Sequence, residues 1–71
     1  MTHDIMQCIR LAPLKRGGLW TIWHHTRDNI CCSTGRVTAF DEHERLVALK
    51  NTSIQHIPFD AIIEIRRYTG D

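Results

Sequence analysis

A chain of 71 residues in which nine lysines and arginines meet eight aspartates and glutamates is close to neutral. That removes any global electrostatic case for a nucleic-acid or acidic-membrane partner. The length suits one small domain, residues 1–71, with a core near the lower limit of independent stability, so a protein partner or a second copy is expected to help bury apolar surface.

The first dozen residues, MTHDIMQCIRLA, place Ile5, Met6 and Ile9 at helical spacing, with Thr2 or Asp4 available as a cap and Pro13 closing the run. Ile5, Gln7, Ile9 and Leu11 also alternate, so residues 4–12 suit a short helix or a strand, and the amino-terminal element spans 1–14. PLKRGG then predicts a turn. LWTIWHHT, residues 19–26, is rich in aromatic and β-branched side chains and predicts a first strand, reversed by TRDN. ICCSTGRVTAF is the returning strand, with Gly35 inside it as a bend or bulge. After the turn DEHE come RLVALKN, SIQHI and AIIEIRRY as further strands, and the proline of IPFDA makes a tight turn or a single 3₁₀ turn between the last two. Five short strands over residues 19–67, with glycine and proline at the corners, predict a mainly β fold. The form expected is a small, strongly bent antiparallel barrel of Sm-like or SH3-like type.

No run approaches the roughly 20 apolar residues of a membrane helix, and no basic start leads into an apolar stretch. The expected location is the cytoplasm, without membrane contact. Cys8, Cys31 and Cys32 form an odd set, and the adjacent pair diverges to opposite faces of a strand, so reduced thiols are expected rather than a disulfide framework. His24 and His25 facing Cys31 and Cys32 invite a tetrahedral metal site, but the same divergence and the lack of CxxC or HxxxH spacing argue against one. No nucleophile elbow, oxyanion-hole turn or paired-carboxylate spacing is present. The chain reads as non-enzymatic, with no catalytic residues, no metal and no cofactor.

GRVTAFDEHERLVAL resembles the first motif of the Sm-like fold. Gly35 stands as the bend glycine, Val37 two residues on, Phe40 and Asp41 as the aromatic-aspartate pair, and Leu46, Val47 and Leu49 in the return strand. KNTSIQHIPFDAIIEI is similar to the end of the bacterial Sm-like RNA chaperones of the Hfq family. The lysine-histidine pair that such chaperones use for uridine-rich RNA is replaced here by Phe59-Asp60, and their glutamine-aromatic pair by Glu42-His43. An acid in a phosphate-binding place repels phosphate. The stretch from Gly35 to Ile65 is also similar to the carboxy-terminal part of YolD-like bacterial proteins, through Gly35, Val37, Asp41, Arg45, Ile57, Pro58, Phe59, Ile62 and Ile65. That resemblance implies a small accessory protein encoded near translesion DNA polymerases, linked to DNA damage tolerance and acting by protein contact.

Two functional readings follow. In the first, the chain is a binding module that docks a protein through sheet edges, with Trp20, Trp23 and Phe59 as apolar anchors. In the second, a ring of copies binds RNA or single-stranded nucleic acid through Trp23, His24, His25, Arg27 and Arg36, an aromatic group beside cations. Trp20 and Trp23 are an odd number of positions apart, so a regular strand sends them to opposite faces.

Overall fold

The computed structural model describes residues 10–69. The helix-or-strand alternative over 4–12 therefore lies mostly outside the described residues, as does Cys8. Residues 10 and 11 are helical and run into a 3₁₀ helix, Ala12–Arg16. Pro13, expected to close this segment, instead sits in the first turn of the 3₁₀ helix, where its missing N–H is tolerated. Leu11 and Leu14, three positions apart on one side of this helix, are both fully buried. Gly17 and Gly18 follow with φ of 73° and 87°, a left-handed pair that other residues adopt at a cost. Their carbonyls are both used: Gly17 accepts from Trp20 Nε1 at 2.9 Å, and Gly18 from the Val37 backbone N–H at 3.0 Å.

Five strands follow: β1 (Leu19–His25), β2 (Ile30–Asp41), β3 (Leu46–Lys50), β4 (Ile54–Pro58) and β5 (Ile62–Arg67), with a 3₁₀ turn, Phe59–Ala61, before the last. The fold is thus mainly β and antiparallel, with strands where alternation and turn chemistry place them. They form one sheet in the order β4-β3-β2-β1-β5. The expected barrel closure is not made: β4 and β5 are its two edges, and no ladder joins them among the described residues. Closure needs a fifth pairing between strands far apart in the sheet, which local patterning does not specify.

β2 is shared between two ladders. Ile30 to Arg36 pair with β1, and Arg36 to Asp41 pair with β3, with a register shift between Val37 and Ala39. Gly35 lies at the changeover, buried. A second shift interrupts the β1-β5 ladder between Trp23 and His24. The curved inner face carries Trp20, Ile22, Val37, Leu49, Ile57 and Ile62, sealed at its ends by Leu11, Leu14 and Phe59. Phe59 is 0% exposed and packs its ring 4.9 Å from that of Phe40, while its N–H donates to the Arg45 carbonyl at 2.9 Å.

Candidate interaction surface

Alternation along β1 sorts the predicted residues into two groups. Trp20, Ile22 and His24 point inward and are buried, whereas Thr21 and Trp23 are half-buried and His25 exposed on the outer face. Of the three expected anchors, Trp20 and Phe59 are therefore spent on the core, and Trp23 alone reaches the surface. His24 is corrected in the same way. It is 4% exposed, with Nε2 2.9 Å from the Ser33 hydroxyl, so its ring faces the core and not a nucleic acid. The parity that buries Trp20 buries His24, four residues on.

Around Trp23 the outer face is polar and ordered. The Arg66 guanidinium lies 5.6 Å from the Trp23 ring centre and also bonds Glu64 at 2.9 Å, so a cation is stacked on the indole and held there. Thr21 and Thr34 share a hydroxyl hydrogen bond of 2.9 Å beside it, and Asn51 Nδ2 donates to the Thr34 carbonyl at 2.9 Å. Cys32, the register partner of Trp23, is exposed. His25 stands at one end of this face and Arg36 at the other, and Arg27 is exposed in the connecting turn. Trp23, His25 and Arg36 are thus brought to one side of the sheet, with Arg27 beside them.

Cys31 is half-buried on the inner side, opposite His24 in register. That juxtaposition is a pair only, and among the described residues no group of three or more potential ligands converges. A cleft of about 270 Å³ separates the leading 3₁₀ helix from β2, lined by Leu14, Gly17, Thr38 and Phe40 among others. Lys15 and Glu42 also line it and form an ion pair, Nζ–Oε2 2.6 Å, with Lys15 5.5 Å from the Phe40 ring centre. The pair neutralises its own charges, and this contact was not legible in the sequence, where Lys15 and Glu42 are 27 positions apart.

No protein-family model, curated protein or solved structure is significantly similar to this chain.

Proposed function

We propose that the chain is a non-catalytic binding module that works by protein contact, as its resemblance to YolD-like accessory proteins implies. The observation that supports this reading most is the open sheet. Among the described residues β4 and β5 each present an edge with no ladder partner, and each carries an exposed isoleucine, Ile54 and Ile63. An unpaired edge supplies main-chain donors and acceptors for an added strand, and exposed alternate side chains give that addition its selectivity. A role in DNA damage tolerance and a cytoplasmic location belong to the same reading.

A second reading, a ring of copies that holds single-stranded nucleic acid, is favoured by the shared placement of Trp23, His25 and Arg36. Solution mass combined with an oligonucleotide titration separates the two. Protein docking predicts a mass of one or two chains and no binding of uridine-rich RNA at any salt concentration. A stable larger ring that binds such RNA, with affinity falling steeply as salt rises, would sink the protein-contact reading.

A further inference from the structure

One line of side chains crosses four strands. Leu19 of β1 pairs with Arg36 of β2, Arg36 with Lys50 of β3, and Lys50 with Ile54 of β4. Each stands an odd number of positions from a core residue of its own strand, Trp20, Val37, Leu49 and Ile57, so all four leave the sheet on its outer side. All are exposed, Leu19 at 40% and Ile54 at 56%. Tyr68 prolongs the line beyond Leu19, to whose carbonyl its N–H donates at 3.1 Å.

The two cations at the centre are the informative part. Like charges directly opposite on neighbouring strands destabilise a ladder. Among the described residues the ion pairs join Lys15 to Glu42, His43 to Glu44, Arg45 to Asp60 and Arg66 to Glu64, and none of them includes Arg36 or Lys50. A domain this small has little stability to spare, yet it holds two facing cations, with no acidic partner among the described residues, between two exposed aliphatic side chains. Local cost without a structural return is characteristic of a surface kept for a ligand.

We propose that this row docks an acidic segment of a partner protein, with carboxylates on Arg36 and Lys50 and apolar side chains against Leu19 and Ile54. Neighbouring strands lie about 4.8 Å apart, so the row from Leu19 to Ile54 spans about 14 Å, the reach of about four residues of extended chain. Two apolar residues enclosing acidic ones match that spacing. A nucleic-acid strand satisfies the cations but leaves both aliphatic groups against sugar and phosphate, and two cations give a polyanion only a weak grip. The proposal rests on the protein-contact reading and adds a contact on the sheet's outer face to the one its edges offer.

The test is a titration of the isotope-labelled full chain, followed by amide chemical shifts, with three probes. The first is a short peptide with the core Leu-Glu-Glu-Asp-Leu, the second the same peptide with amides in place of the acids, and the third oligothymidylate. The acidic peptide should shift the amides of Leu19, Arg36, Lys50 and Ile54, and the amide version should bind at least about fivefold more weakly. Lys50→Glu should weaken acidic-peptide binding about tenfold or more. The same substitution sets opposite charges across the ladder, so the melting temperature should rise by about 2–5 °C, which separates lost binding from lost folding. Equal binding of the two peptides, shifts confined to another surface, or a fall in melting temperature on Lys50→Glu would each overturn the proposal. If the acidic peptide leaves the row untouched while the β4 or β5 edge still takes a protein partner, this docking row is wrong and the protein-contact reading stands. If oligothymidylate alone shifts the row and no protein contact is found, both are wrong.

Discussion

Gly35 faces the Lys50 carbonyl so closely that a β-carbon at position 35 would stand 2.5 Å from its oxygen and 2.9 Å from its carbon. The neighbour is backbone held in the β2-β3 ladder, not the end of a flexible side chain, so it cannot step aside without disturbing the Arg36–Lys50 pairing. Gly35→Ala is therefore expected to cost about 2–3 kcal/mol, the upper range for overpacking a tight site. Chemical denaturation measures this directly, and a loss below about 1 kcal/mol would show that β3 can retreat.

The turn before β3 carries a different strain. Arg45 has φ of 58°, the left-handed region that a non-glycine residue occupies at a cost of about 1–2 kcal/mol. Its guanidinium reaches Asp60 at 3.5 Å, an exposed pair contributing about 0.2–1 kcal/mol. Arg45→Gly relieves the strain, loses that pair and gains unfolded-chain entropy, and these nearly cancel. Stability should remain within about 0.5 kcal/mol of the parent, whereas Arg45→Val, branched at the β-carbon, should cost about 2 kcal/mol. Equal costs for the two substitutions would show that contacts of the arginine side chain outweigh the backbone.

His24, buried on the inner face, shares a side-chain hydrogen bond of 2.9 Å with Ser33. Removing one partner strands the other, while removing both with apolar groups of similar shape can be nearly neutral. Ser33→Ala alone should cost about 1–2 kcal/mol, and His24→Phe alone a similar amount. The double variant should cost clearly less than their sum, giving a coupling energy of about 1 kcal/mol in a double-mutant cycle. Additive losses would mean that water, not the partner, satisfies each group.

The strands were legible because their signals are local. LWTIWHHT and AIIEIRRY alternate or cluster in ways only a half-buried strand tolerates, and TRDN, DEHE and the proline of IPFDA mark reversals at the observed places. Gly35 was legible as a special position, but its reason was not, since the carbonyl that excludes a β-carbon is 15 residues away in sequence. Phe59 was misplaced for a similar cause. A turn of the form PFD looks like a surface loop, yet here the turn folds its first side chain beneath β2 and against Phe40. His24 could have been assigned inward from Trp20 by parity alone. The outer row from Leu19 to Ile54 depends on three pairing registers at once, and one sequence does not contain them.

Trp20 and Trp23 supply a test of the two faces that needs no partner. Trp20 is core and bonded to the Gly17 carbonyl, so Trp20→Ala should cost about 3 kcal/mol or more, which is enough to unfold a domain of this size at moderate temperature. Trp23 is half-buried under Arg66, and Trp23→Ala should cost about 1 kcal/mol, from lost contact area and one exposed cation–π contact. The single-tryptophan variants make the contrast visible: Trp23→Phe should leave blue-shifted emission shielded from acrylamide, and Trp20→Phe red-shifted emission open to it. A shielded Trp23 in dilute solution would mean that the outer face is covered by another copy. Its release on dilution, read by the same quenching measurement, would then report the affinity of that contact.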